Sequence, residues 1–243
     1  MFAYRDSHDA VEVAFTDRHG GTSRGPYASL NLATGRGDDQ ADGVEANLAL
    51  VTAAFTKGGD GVVARMRQVH GADVAVVDEA TPPADPPAVD ALVTARPGVV
   101  LLVRVADCVP VLLADPDAGV VGAAHSGRPG LAAGVVPRTV EAMRALGATR
   151  LRAWVGPHVC GRCYEVPQEM QDDVAAVEPA TLATTSWGTP SVDVGAGVRA
   201  QLGREGVEIL DLSRCTIESP DLFSYRREGP RSGRQAGLIR RTA

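Results

Sequence analysis

A chain of 243 residues with 44% apolar side chains can bury a sizeable core, as one large domain or two small ones. Its formal net charge of -6 argues against a protein that coats nucleic acid. Aromatic residues make up only 4%, so the core must be built mainly from Val, Leu and Ala.

Met1 to Ala10 holds Arg5, Asp6, His8 and Asp9 and leads into no apolar segment, so no secretory signal is read there. No stretch approaches the roughly 18 uncharged apolar residues of a spanning helix, and no membrane partner is expected. The four cysteines, Cys108, Cys160, Cys163 and Cys215, read as reduced thiols or ligands rather than disulfides, with the cytoplasm as the expected compartment.

Along the chain, Val11–Thr16 is predicted as a strand, 17–32 as a Gly/Ser/Pro/Asn-rich loop and Val44–Phe55 as a helix. Val62–Gln68 and Val74–Val77 are predicted strands around His70-Gly71. Four prolines mark Thr81–Asp90 as a surface loop rather than a boundary, so residues 1–243 are expected to form a single domain. The runs Val99–Val105, Val109–Ala114 and Val120–Ala124 have the continuous apolar pattern of strands buried on both faces. A helix over Val135–Leu146, a strand over Leu151–Val155, helices over Gln168–Val177 and Val194–Leu202, and a strand over Val207–Leu210 follow. The tail predicts strands Leu222–Arg226 and Gln235–Arg240. Paired strands followed by segregated helices indicate α+β or mixed α/β layers. No phosphate-binding Gly motif stands between a strand and a helix.

Three polar residues stand where apolar strands stop: His70, Cys108 and His125. Two imidazoles and a thiolate suit zinc or copper, and three protein ligands leave a fourth position for water or substrate. Asp107, beside Cys108, is a candidate second-sphere acceptor or base. The same residue types also occur in ordinary packing, and a Cys–His pair without metal could be a nucleophile and its base. Asn31 and Gln68 could hydrogen-bond a base or ribose, or equally satisfy loop backbone. Gly20-Gly21 and Ser23 read as a tight turn more readily than as an anion nest. The basic run from Arg226 to Arg241 reads as a solvated face, with Arg226 or Arg227 reaching a phosphate as the alternative. Cys160-Gly161-Arg162-Cys163, with His158 upstream, lacks further ligands at suitable spacing and reads as buried thiols; Cys215 is expected in the core.

An ordered set of motifs carries a resemblance that spans almost the whole chain. It comprises Arg18-His19-Gly20-Gly21-Thr22-Ser23, Pro26-Tyr27-Ala28-Ser29-Leu30-Asn31-Leu32, Gly37-Asp38, Asn47, Gln68-Val69-His70-Gly71, Asp90-Ala91-Leu92-Val93-Thr94, Ala106-Asp107-Cys108-Val109-Pro110, Ala124-His125, Gly156-Pro157, Tyr164-Glu165-Val166, Cys215-Thr216 and Phe223-Ser224-Tyr225-Arg226-Arg227. The chain resembles the YfiH-like family, also called the laccase-domain or polyphenol oxidase family. That resemblance implies an α+β fold of layered mixed β-sheets packed between helices, related to cysteine-hydrolase-type proteins. It implies zinc, or copper, on His70, Cys108 and His125, with Cys108, Asp107 and His125 as catalytic residues. Arg18, Asn31, Gln68, Arg226 and Arg227 would bind substrate. It further implies phosphorolysis of adenosine, inosine and methylthioadenosine, together with adenosine deamination. The older reading is copper-dependent phenol oxidation. Purine nucleosides and phosphate are then the expected partners, with homodimerisation left open. A metal-free cysteine hydrolase and a non-catalytic metal-binding regulatory protein are the competing classes. This sequence departs from the family at Leu48, where Arg is usual, and at Arg128-Pro129, where Trp-Arg follows the third ligand.

Overall fold

The computed structural model describes residues 1–33, 41–58, 61–78 and 85–242; Gly37-Asp38 and the start of the proline-rich segment lie outside them. In chain order the elements begin with β1 (Phe2–His8), β2 (Val11–Thr16), α1 (Ala41–Thr56), β3 (Val62–Ala64), β4 (Val74–Val76) and β5 (Ala91–Thr94). Next come β6 (Val99–Val105), β7 (Val109–Asp115), β8 (Val120–Ser126), α2 (Arg128–Ala132), α3 (Val135–Ala145) and β9 (Arg152–Val155). The last part holds α4 (Gln168–Val177), β10 (Leu182–Thr184), β11 (Pro190–Val192), α5 (Val194–Arg204), β12 (Glu208–Asp211), α6 (Tyr225–Glu228) and β13 (Gln235–Arg241).

Two mixed sheets form the body. One is five-stranded, in the order β1-β2-β13-β6-β3; the other is six-stranded, β12-β9-β7-β8-β5-β4. The last strand of the chain pairs with β2 on one side and β6 on the other, so both ends of the sequence meet in one sheet. The apolar runs lack alternation because both faces of each strand are covered. In β6, Val99, Leu101, Val103 and Val105 face the other sheet with Phe15, Leu112, Trp154 and Ile239, while Val100 and Leu102 face α1 through Val51 and Phe55. In β7, Leu112 and Ala114 lie between the sheets, whereas Val111 and Leu113 pack under Val140 and Met143 of α3 and Val198 of α5. The result is a layered α+β fold, helix on sheet on sheet on helices, as the resemblance implies. Phe15 fills the inter-sheet layer so closely that a Cβ at Gly156 would come within 2.3 Å of its ring. This accounts for glycine at the end of β9.

Several expectations are corrected. Phe2–His8, to which the sequence assigns no element, is a strand; it lies at a sheet edge, where charges such as Arg5 and Asp6 are tolerated. β3 stops at Ala64 rather than Gln68. The Gln68 side chain takes over the pairing: its Nε2 donates to the Arg104 carbonyl at 2.8 Å and its Oε1 accepts from the Arg104 N–H at 3.0 Å. Leu222–Arg226 is not a strand. Leu222 and Phe223 are buried in a loop, and the Ser224 hydroxyl caps α6 by accepting from the Arg227 N–H. The short strands β5, β10 and β11 and the five-residue α2 add to the expected elements. Among the described residues no helix is long and apolar enough to cross a membrane.

Candidate metal centre

His125 is the penultimate residue of β8 and is only 3% exposed. Cys108 sits in the turn between β6 and β7, where the chain crosses from one sheet to the other. The preceding Asp107 has φ of +87°, which sharpens that turn. His70 does not end a strand, as the sequence reading had it; it stands in the loop between β3 and β4 with φ of +61°.

Asp90, just before β5, draws that loop to the site. Its buried carboxylate accepts the backbone N–H groups of Val69 (3.1 Å), His70 (3.0 Å) and Gly71 (2.7 Å). It also accepts from Nδ1 of His125 at 2.8 Å, and its carbonyl accepts the His125 N–H at 2.8 Å. One carboxylate thus holds two of the three candidate ligands, and it fixes His125 as the tautomer whose Nε2 is free to ligate. Sequence reasoning passed over Asp90 as a functional residue. Its one local signal was an acidic residue immediately before an apolar strand.

The Sγ of Cys108 lies 3.8 Å from Nε2 of His70, and the two imidazole rings meet edge to face with centroids 4.8 Å apart. Gly127 closes the group: a Cβ there would fall 2.7 Å from the His70 ring and 3.1 Å from the Cys108 sulfur. Burial alone would raise the Cys108 thiol. The charge and hydrogen bond of His125, followed by those of His70, outweigh this and bring it down to about 6. Burial likewise opposes charge on His125, but the Cys108 thiolate and Asp90 raise it to about 9. Without metal Cys108 and His125 form a thiolate–imidazolium pair; the thiolate is the form that binds metal, and His125 ligates by giving up its Nε2 proton. The ligand atoms of His70, Cys108 and His125 all lie within 4.8 Å of one another. Zinc–nitrogen and zinc–sulfur bonds of about 2.0–2.3 Å require a spacing of this order. With Asp90 behind one imidazole and Gly127 leaving room, these residues fit a single zinc or copper ion.

Both carboxylate oxygens of Asp107 accept hydrogen bonds from within the protein. Its Oδ1 accepts from the Thr216 hydroxyl at 2.5 Å and its Oδ2 from the Arg226 N–H at 2.7 Å. The Arg226 backbone is thereby tied to the residue that precedes Cys108, while its exposed guanidinium stacks over Tyr164 at 4.9 Å and donates to the Glu165 carbonyl. The other expected substrate residues have their polar atoms engaged within the protein. Arg18 reaches Ala28, Pro26 and Glu228, and Arg227 gathers the carbonyls of Thr216, Ile217 and Ser219. The buried Asn31 side chain accepts the N–H groups of Ala33 and Arg234. Gly21, Thr22 and Ser23 donate their N–H groups to Ser29 and Asn47, forming a tight turn. Of the two departures, Arg128 and Pro129 open α2 behind the third ligand, and Leu48 packs on the α1 core.

Cys215, expected in the core, is half-buried and lies beside Cys160 and Cys163. The His158 imidazole is not part of that group, although its backbone pairs with Cys215. It is buried, and its Nδ1 donates to the Gly156 carbonyl at 2.8 Å.

The two-sheet sandwich with a His/Cys/His cluster at the crossing defines a layered α+β protein of the YfiH type. Residues 12–242 match the family model described as multi-copper polyphenol oxidoreductase laccase, and the chain belongs to that family. It is 56% identical to purine nucleoside phosphorylase SCO2081 of Streptomyces coelicolor, over 98% of this chain and 99% of that one. It is 34% identical to adenosine deaminase RL5 from an unknown prokaryotic organism, covering 98% and 97%. Among solved structures it is similar to Bacillus licheniformis protein YfiH, with a TM-score of 0.86, 27% identity and coverage of 96% and 93%.

Proposed function

We propose that the chain is a zinc-dependent purine nucleoside phosphorylase, acting on adenosine, inosine and methylthioadenosine, with adenosine deaminase activity at the same site. The observation that carries this reading is the convergence of His70, Cys108 and His125; the Arg226 N–H is bonded to Asp107, the residue before Cys108. The names of the two relatives support the reaction classes. The reading takes residues 1–243 as one domain, supported by β13 pairing with β2.

His70, Cys108 and His125 would hold zinc, with copper as the second choice, and the ion would supply Lewis acidity to an oxygen at the open position. In phosphorolysis a phosphate oxygen bonds to C1′ of the ribose as the C1′–N9 bond breaks. The electron pair leaves with the purine, which takes up a proton. Arg226, whose guanidinium is exposed, would bind phosphate and offset its charge. Asp107 positions Arg226 through the backbone, and its remaining lone pairs can take or return a proton. Arg18, Arg227, Asn31 and Gln68, all tied to protein partners, shape the wall that substrate meets. In deamination water adds at C6 of adenine and ammonia leaves.

Inosine should yield free base and ribose 1-phosphate in phosphate buffer. Release of base at an equal rate without phosphate would identify hydrolysis instead. His70→Ala and His125→Ala should each lower bound metal by about one ion per chain, because two remaining ligands hold zinc poorly. Unchanged metal content in both variants would remove the site.

One observation favours a second reading. Asp90, His125 and Cys108 also stand in the order of orienter, base and nucleophile, which suits a metal-free cysteine hydrolase. His70 against the same sulfur favours the metal.

A further inference from the structure

Away from that centre, the chain brings three thiols and a carboxylate to one point. The ligand atoms of Cys160, Cys163, Cys215 and Glu218 all lie within 4.8 Å of one another. Two segments distant in sequence build this group. In the first, the N–H groups of Cys163 and Tyr164 both donate to the Cys160 carbonyl, at 3.0 and 3.1 Å. This tight turn turns the two thiols of Cys160-Gly161-Arg162-Cys163 to one side. In the second, Cys215 pairs in parallel with His158. The His158 N–H donates to Arg214 and the Thr216 N–H returns to His158, so the register is held from both sides. Glu218 follows three residues later. Burial grades outward from Cys163, which is buried, through the half-buried Cys160 and Cys215 to the exposed Glu218, so an ion has a way in.

We propose that Cys160, Cys163 and Cys215, closed by Glu218, bind a second zinc ion with a structural role. Three thiolates and one carboxylate make a four-ligand set with no position left over for substrate, which is the closed pattern of structural zinc. The spacing of two residues between the first pair is that of a zinc knuckle. An odd number of thiols is poorly explained by a disulfide, which would strand the third. Glu218 has one competing partner, Arg162 at 3.7 Å, but both side chains are exposed and such a pair contributes little.

The position gives the ion a task. The Val159 N–H donates to the Asp107 carbonyl at 3.0 Å, and Thr216 donates to its carboxylate. The residues adjoining Cys160 and Cys215 therefore support Asp107 from both sides, and Asp107 precedes Cys108. Zinc would staple together the two segments that hold this wall.

The test is elemental analysis of the purified, reduced full chain and of two variants. Wild type should hold about two zinc ions, Cys215→Ser about one and the His70→Ala/His125→Ala double variant about one. A double variant free of zinc overturns the proposal. If instead the double variant keeps the only ion and Cys215→Ser holds none, the second site stands and the first fails. Cobalt in the double variant should give an intense thiolate-to-metal charge-transfer band, and its absence counts against the site. Should Cys215→Ser not fold, wild-type protein still decides the matter. Chelator should raise labelling of Cys160 and Cys215 at least about tenfold. Unchanged labelling, or a zinc-free chain lighter by two hydrogens from a disulfide, overturns the proposal.

Discussion

Asp90→Asn should weaken metal binding at the His70/Cys108/His125 centre by about 10–100-fold, the usual cost of losing a partner behind a ligating histidine. The carboxylate now satisfies four donors: the N–H groups of Val69, His70 and Gly71, and Nδ1 of His125. An asparagine has one accepting oxygen and one donating nitrogen. If its oxygen keeps the Val69 and Gly71 N–H groups, its NH2 faces the His70 N–H and Nδ1 of His125, which must then accept. The proton then moves to Nε2, where it blocks ligation. If the amide turns the other way, its NH2 faces the Val69 and Gly71 N–H groups, and the loop on both sides of His70 loses its acceptor. Asp90→Ala removes the acceptor altogether and should destabilise the fold by about 3–5 kcal/mol, because it strands buried donors and one member of a buried pair. Denaturant unfolding and metal titration of the two variants separate the effects: Asn should lose metal more than stability, and Ala should lose both. Equal metal affinity in wild type and Asp90→Asn would exclude Asp90 as the orienting group.

The acid dependence of that carboxylate has a definite sign. Burial raises its pKa, but the His125 hydrogen bond and the backbone N–H groups overcome this and leave it below the ordinary value. A depressed carboxylate stabilises the fold above its unfolded pKa, and the stabilisation is lost as pH falls through the lower folded value. Acid therefore loosens the loop that carries His70 as well as protonating the ligands.

The sequence showed the middle of the fold most clearly. Val99–Val103 and Val109–Ala114 are apolar throughout because each is covered on both faces, and that leaves a strong local signal. The weaker elements carry less of it. β1 is polar because it is an edge, and Leu222-Phe223-Ser224 looks like a strand because two apolar residues must be buried there, although Ser224 caps a helix. At the site, His70, Cys108 and His125 were legible as residue types and through the family resemblance. Their supports were not. Asp90 lies 35 positions from His125, and Cys215 lies 52 positions after Cys163, so neither pairing has a periodicity or spacing that a local reading could detect. Arg18, Asn31, Gln68 and Arg227 are polar residues inside recognisable motifs. The structure shows each holding backbone or side chains in place, a use that the sequence alone leaves open beside substrate binding.

Cys108 should resist alkylation in metal-loaded protein and label at least about tenfold faster once a chelator has removed the ion, because a thiolate whose electron density is shared with a metal is a poor nucleophile. The geometry makes the contrast large. His70 and His125 bring the thiol down to about 6, so in metal-free protein it is mostly thiolate at neutral pH. Its labelling rate should climb as pH rises through about 6 and then level off. An ordinary thiol keeps climbing toward about 8.5. Peptides resolved by mass spectrometry give each of the four cysteines its own rate. The metal-free hydrolase reading requires the opposite pattern: Cys108 labels rapidly from the outset, chelator changes nothing, and turnover traps a covalent intermediate on the sulfur. Cys108→Ser would not separate these, since both readings lose activity with the thiol. Equal labelling of Cys108 before and after chelation would end its assignment as a ligand and leave Asp90, His125 and Cys108 to be understood as orienter, base and nucleophile.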